Sequence, residues 1–273
     1  MSDKAGPTTD PDTPRPLPAI KAAVEGIRTI YSWLTIIPIR LPADTPFDRA
    51  LGRRAMAALP LVALPFSLLA LVAAAFATVT TPLLAAVLCL CFWALFNRAM
   101  HWDGLGDIAD ALGSWATPER AREILRDPTA GPFAIITLIL VALLQVSAIA
   151  EILTDLNMKS LLALLLLPVL ARLAAMQLTL TRFAPLSPTG FGSLVIGVTS
   201  KRTVILWGVL ATLAAGLISP WLLPLPFALI GVATIFGTHV SKRLGGLNGD
   251  VLGAAIEITT ALGALYIVVT SGE

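Results

Sequence analysis

Residues 82–110 read PLLAAVLCLCFWALFNRAMHWDGLGDIAD. The first part, 82–100, is apolar and close to the roughly 20 residues that cross a bilayer core of about 30 Å. The second part carries Asp103, Asp107 and Asp110, whose i, i+4, i+7 spacing stacks all three on one face of a helix. An apolar crossing that runs straight into an acidic helix points to a helical membrane protein with its chemistry at the bilayer surface. Like charges held this close repel, and a membrane boundary is a costly place to leave them unpaired. A divalent cation resolves the conflict. Mg²⁺ prefers carboxylate oxygens and shares its sites with substrate phosphates, so the stretch suggests Mg²⁺-dependent phosphoryl transfer. Arg98 offers Asp103 a plainer role as an ion-pair partner, but three acids on one face beside His101, Gly104 and Gly106 favour a site. The glycines would let a phosphate or a neighbouring helix come close to the backbone.

Composition agrees. The chain has 273 residues, 56% hydrophobic and only 13% charged, with mean hydropathy +0.84, whereas soluble domains carry about 25% charged residues. Long apolar runs account for the excess, at about 55–78, 82–100, 133–153, 160–180, 203–219, 221–240 and 251–270. The expected fold class is therefore all-α, a polytopic integral membrane bundle of about seven transmembrane helices. Residues 20–40, apolar but interrupted by Glu25, Arg28 and Pro38, read as an additional N-terminal interfacial or re-entrant helix. Residues 1–18, with five prolines among Asp and Thr, read as a disordered tail rather than a signal peptide. That leaves 19–273 as one membrane-embedded catalytic domain. Cys89 and Cys91, at i, i+2, point to different sides of a helix and argue against a disulfide or a metal pair.

Charge sets the orientation. With seven spans, the segments 1–54, 101–132, 181–202 and 241–250 and their flanks share one side and hold nearly all Lys and Arg. The other side has Lys159 beside Glu151, Asp155 and Glu273. The positive-inside rule makes the basic side cytoplasmic, and the aspartates lie on it.

Two further elements carry chemistry. Thr117-Pro118-Glu119 reads as a helix start, followed by Arg122, Arg126 and Asp127. These are either a surface ion-pair lattice or a diphosphate-binding pair of arginines with a metal-binding acid. The run Lys242-Arg243-Leu244-Gly245-Gly246-Leu247-Asn248-Gly249-Asp250 reads as an anion-binding turn at a helix N-terminus. Glu257 follows on the same face as Asp250, inside an apolar span, where a charged group lacks a cheap structural justification. Arg172 in the 160–180 span needs an acidic or phosphate partner for the same reason. A shared Mg²⁺–diphosphate centre, with Lys242 or Arg243 holding phosphate, would neutralise both acid groups.

With these residues in place, the chain resembles the cobalamin synthase family, the adenosylcobinamide-GDP ribazoletransferases, from about Tyr31 to Tyr266. The resemblance rests on Thr35-Ile36-Ile37-Pro38, on HWDGLGDIAD at 101–110, on Glu123-Ile124-Leu125-Arg126-Asp127 with Gly131, and on KRLGGLNGDVLGAAIE at 242–257. It departs from the family's pattern at Ala111, Pro128 and Ala134. What the resemblance implies is a Mg²⁺-dependent enzyme of the bacterial cytoplasmic membrane, its active site facing the cytoplasm. It would join adenosylcobinamide-GDP to α-ribazole or α-ribazole 5′-phosphate and release GMP. The expected catalytic acids are Asp103, Asp107 and Asp250, and the expected metal set adds Asp110, Asp127 and Glu257. Substrate contacts would come from His101, Arg122, Arg126, Arg172, Lys242, Arg243 and Asn248. The expected surroundings are the lipid bilayer, no nucleic acid, and an assembly state that leaves a homo-oligomer open.

Two other classes compete. CDP-alcohol phosphotransferases use a similar aspartate helix, but Gly104 is followed here by Leu-Gly-Asp, not by their Ala-Arg. A transporter could use Arg172 and Glu257 as a path, but no inverted repeat is visible and the polar residues gather on one side, not at the midplane.

Overall fold

A computed structural model describes residues 18–270; all but the last residue of the proline-rich segment lies outside them. Twelve α-helices are formed among the described residues, with no strand beyond two isolated bridges. They are α1 (Ala19–Leu34), α2 (Arg49–Ala57), α3 (Leu64–Ala77), α4 (Pro82–Phe96), α5 (Met100–Gly113), α6 (Pro118–Ile124), α7 (Pro132–Thr154), α8 (Met158–Met176), α9 (Phe191–Val195), α10 (Lys201–Ile218), α11 (Leu225–Leu244) and α12 (Gly249–Thr270). Six stretches are long and apolar enough to cross a membrane, and α4 with α5 forms a seventh, sharply bent candidate. The chain is a polytopic helical bundle.

The centre of the bundle is α8 and α12, 67% and 72% buried over their spanning windows, against 22% for α7 and 17% for α10. Small residues let the central helices sit close. On α12, Gly253, Ala254, Ala255, Ala261, Gly263 and Ala264 are all buried, the pattern by which membrane helices gain packing where lipid offers no hydrophobic drive. The outer helices turn leucine and isoleucine outward, among them Ile139 on α7 and Leu213 on α10.

Three boundaries differ from the sequence reading. The first crossing begins at Leu59, not near 55, because Pro60 and Pro65 break the run into a 3-10 turn and α3. The charged residues ahead of it form α2, capped by Asp48 and bound to α1 through the Arg54–Glu25 ion pair. The helix started by Thr117 ends at Ile124, so Arg126 and Asp127 stand beyond it; Pro128 disfavours helical backbone before it. The segment 181–202 is also more than a connection, since it contains α9 and pairs through Leu186 with Leu247.

Candidate active site

The site begins at a bend. The axis of α5 turns 89° from that of α4, through Arg98 and Ala99, both left-handed with φ of 59° and 56°. Each such residue costs about 1–2 kcal/mol. Local bonds offset this: the Ala99 N–H donates to the Ala94 carbonyl at 2.7 Å, and the Arg98 guanidinium donates to the Trp33 carbonyl at 2.7 Å. Arg98 is thereby committed to α1 and not to Asp103. The bend lays the aspartate helix across the end of the bundle.

There α5 crosses α12 at very short range. A Cβ added at Gly104 would lie 2.7 Å from the Asp250 Cα, and one at Gly253 would lie 2.9 Å from the His101 Cα. Only glycine fits at both crossings, which answers whether Gly104 admits a phosphate or a helix. It admits α12. The crossing brings Asp250, far away in sequence, beside Asp103 and Asp107; Asp107 experiences like-charge repulsion from both. Asp250 also accepts from the Asn248 amide, and Asn248 in turn caps α12 by accepting from the Val251 N–H at 3.3 Å.

Two cavities meet at Asp250. One, ≈ 350 Å³, is the more polar, with Arg122, Arg126, Ser187, Thr189 and Asn248 in its wall beside Leu125 and Leu186. The other, ≈ 200 Å³, is mostly apolar, lined by Leu34, Met56, Leu59 and Leu252, with His101 and Asp103 as its other polar residues. Phe191, Gly249 and Asp250 belong to both walls. The polar wall is held by backbone pairing: the Leu186 N–H donates to the Leu247 carbonyl at 2.7 Å, and the Leu247 N–H to the Ala184 carbonyl at 3.0 Å. Gly245 takes φ of 86° to end α11. Gly246 leaves no room for a Cβ, 2.7 Å from the Leu186 Cα.

The other residues singled out in the sequence have different roles. Both oxygens of Asp110 accept backbone N–H groups at the start of α7, from Gly131 at 2.6 Å and Ala134 at 2.9 Å, so it is a helix cap and not an open ligand. Asp127 closes its own turn on Thr129, whose hydroxyl and N–H hold the carboxyl below the usual aspartate range. Glu257 lies beneath the opening, its carboxylate accepting from Gln145 at 2.9 Å and standing 3.5 Å from the His101 ring. Arg172 is also buried there. It sits 4.0 Å above the Phe66 ring, donates to the Pro168 carbonyl and lies within the field of Glu257. Arg243 donates to the Ala116 carbonyl at 3.1 Å, tying α11 to the loop after α5. Lys242 is exposed and lines neither cavity. The cations that do line the polar cavity are Arg122 and Arg126. Arg122 is steadied by Glu119 and the Leu244 carbonyl, whereas Arg126 has no acid partner among the described residues.

Sequence reasoning missed Asn97 and Gln145, the amides that complete the buried network with His101 and Glu257. A lone glutamine in the apolar 132–154 run was the available signal, since a polar side chain inside a span is rarely idle. It also missed Phe191 and the 185–192 wall, which carry no charge pattern.

The six acids expected as metal ligands are not gathered in one place. Among the described residues no group of three or more His, Cys, Asp or Glu is arranged to hold an ion. What the crossing does provide is Asp103, Asp107 and Asp250 without a cationic partner. Unpaired carboxylates are the donor type Mg²⁺ takes, one or two at a time with water and substrate phosphate completing the shell, so a pair of these three fits the ion chemically although the three do not form a ready-made cage.

The family described as Cobalamin-5-phosphate synthase matches residues 26–268. Named adenosylcobinamide-GDP ribazoletransferases are similar over most of their length. The Corynebacterium efficiens protein is 41% identical over 256 residues, covering 90% of this chain and 91% of the relative. The Corynebacterium diphtheriae protein is 35% identical over 263 residues, covering 92% and 94%, and that of Stutzerimonas stutzeri is 36% identical over 233 residues, covering 83% and 90%. No solved structure matches the chain.

Proposed function

The chain belongs to the cobalamin-5-phosphate synthase family and is a transferase of cobalamin synthesis, and from that premise we propose that the α5–α12 crossing is where the transfer takes place. The observation that carries this reading is the position of Asp250. It stands beside Asp103 and Asp107 and forms part of the wall between a polar, arginine-lined cavity and an apolar one. Two substrates must meet, adenosylcobinamide-GDP and α-ribazole or its 5′-phosphate, and a two-lobed opening with acids at the junction suits that task.

In this reading Arg122 and Arg126 hold the diphosphate of the donor, countering the charge that develops on the phosphoryl oxygens. The hydroxyl oxygen of the acceptor ribose forms a bond to the phosphorus that bears the corrinoid. The P–O bond to GMP breaks, GMP departs with the bridging oxygen, and the hydroxyl proton passes to one of the unpaired carboxylates. Asp103, Asp107 and Asp250 would hold Mg²⁺, which when bound supplies charge neutralisation at the diphosphate. The fold contributes positioning: the glycine crossing fixes the acids, and the 185–192 wall closes the polar lobe. The test is GMP release by purified protein. Release is expected only when both substrates are present, and Arg126→Ala should raise the Michaelis constant for the donor about tenfold, about 1.4 kcal/mol, with that for the acceptor unmoved. GMP released without an acceptor would refute the reading.

We also propose that the opening faces the cytoplasm. Among the described residues Lys159 is the one Lys or Arg at the opposite end of the bundle, Arg172 lies deep within a crossing, and the others stand at or beyond the basic ends of the crossings, a distribution that follows the positive-inside rule. Glu123 is exposed on α6. In a background lacking Cys89 and Cys91, Glu123→Cys should react with an impermeant thiol reagent in permeabilised cells alone; reaction in intact spheroplasts would reverse the orientation.

A further inference from the structure

Phe191 is a large apolar side chain left 40% exposed. It does not lie on a lipid-facing crossing; it opens α9, in the wall of the polar cavity. We infer that its ring decides which nucleophile reaches the donor phosphorus, admitting the acceptor hydroxyl and keeping water out. This rests on the transferase reading above and adds a residue that sets the specificity of the attack.

Three observations support it. The first is position. Phe191 belongs to both cavity walls, together with Gly249 and Asp250, so the ring stands where the arginine lobe meets the lobe that contains Asp103. A Cβ added at Gly249 would lie 3.2 Å from the ring; glycine there lets the ring rest on α12 immediately before Asp250.

The second is how firmly the ring is held. Trp33 of α1 meets it edge-on, with centroids 5.2 Å apart, a favoured aromatic geometry. At the other end of α9, the Arg49 guanidinium donates to the carbonyls of Ser193, Ile196 and Gly197, and Gly52 lies directly against the Leu194 carbonyl. Helices α1 and α2 thus fix a short helix that would otherwise be a loose connection.

The third is chemistry. Water can attack the same phosphorus as the acceptor. Its oxygen would bond to the phosphorus that bears the corrinoid, the P–O bond to GMP would break, and one water proton would pass to a carboxylate. The products would be adenosylcobinamide phosphate and GMP, a loss of donor that exclusion of water prevents. Arginine, serine, threonine and asparagine elsewhere in the polar wall hold water by hydrogen bonds. The ring offers none, and it covers the junction beside the acids.

The test counts GMP against joined product, using purified full-length enzyme with both substrates and with donor alone. Wild type should keep the two matched and release no GMP from donor alone. Phe191→Ala should release GMP from donor alone at about a tenth of its rate with both substrates. In heavy-oxygen water the label should enter the corrinoid phosphate. Phe191→Leu, which restores apolar bulk, should bring GMP and product back together, a result that a merely structural role for the ring does not predict. Phe191→Ala that turns over with GMP still matched to product would overturn the inference. So would equal loss of transfer and hydrolysis, which would make the ring a binding element, or heavy oxygen found in GMP. If Phe191→Ala does not fold, Trp33→Ala, which removes the edge contact, decides on the same ratio: excess GMP supports the inference and matched GMP refutes it. Wild-type enzyme that joins no substrates would refute the transferase reading itself, whereas tight coupling in wild type and variants alike would refute the role of Phe191 alone.

Discussion

Asp250→Asn should lower turnover on the order of 10³-fold while leaving the protein as stable as wild type, or slightly more stable. The two halves of this expectation have one cause. Asp250 stands at the α5–α12 crossing, in the same cavity wall as Asp103 and with no cation paired to either among the described residues. A neutral amide removes one of these unpaired charges, keeps an oxygen to accept the Asn248 amide, and alters no packing volume. Stability improves where charge is removed, and function is lost because the charge is what the diphosphate and its cation require. The check is GMP release alongside thermal unfolding in detergent. Full activity would remove Asp250 from the site, and a large fall in melting temperature would show it to be structural.

Glu257→Ala should do the reverse. Its carboxylate is the acid toward which Gln145, His101 and Arg172 are arranged. Deleting one member of a buried charged group leaves the others uncompensated, at about 3–5 kcal/mol, a large share of the 5–15 kcal/mol that holds a typical domain together. Folded yield and melting temperature should drop sharply, with Glu257→Gln intermediate because its amide oxygen still accepts from Gln145. The fraction that folds should turn over within about threefold of wild type, since Glu257 lies beneath the opening and not in it. A variant of normal stability that has lost metal dependence would instead restore Glu257 as a ligand.

These two acids show what the sequence could and could not convey. Both stood out for one reason, a carboxylate on the same face of an apolar helix, and spacing alone assigned them a common cation. The difference between them is tertiary. Asp250 meets Asp103 and Asp107 because Gly104 and Gly253 let two helices touch, whereas Glu257, two turns deeper, meets an amide and an imidazole from α7 and α5. Asp110 shared a face with Asp103 and Asp107 but sits where α7 begins, and unmade N–H groups there claim it. The apolar runs were easily read, because a crossing helix must be long and greasy whatever it packs against. The 89° turn at Arg98–Ala99 was hidden: it uses left-handed backbone at residues that do not advertise it. The polar wall was hidden too, since Leu186–Leu247 pairing is made by main chain. Arg122 and Arg126 could be read as phosphate ligands or as surface ion pairs; both line the cavity, and Arg122 also makes the ion pair with Glu119.

The claim that the transfer takes place at the α5–α12 crossing is tested most directly by an experimental structure of the protein with Mg²⁺ and GMP. The account predicts the phosphate of GMP in the polar lobe, within hydrogen-bonding reach of Arg122 or Arg126, with the metal between it and the carboxylates of Asp103, Asp107 and Asp250. Nucleotide bound at the opposite end of the bundle, in the pocket lined by Asn157, Lys159 and Ser160, or metal held by Glu257, would contradict it.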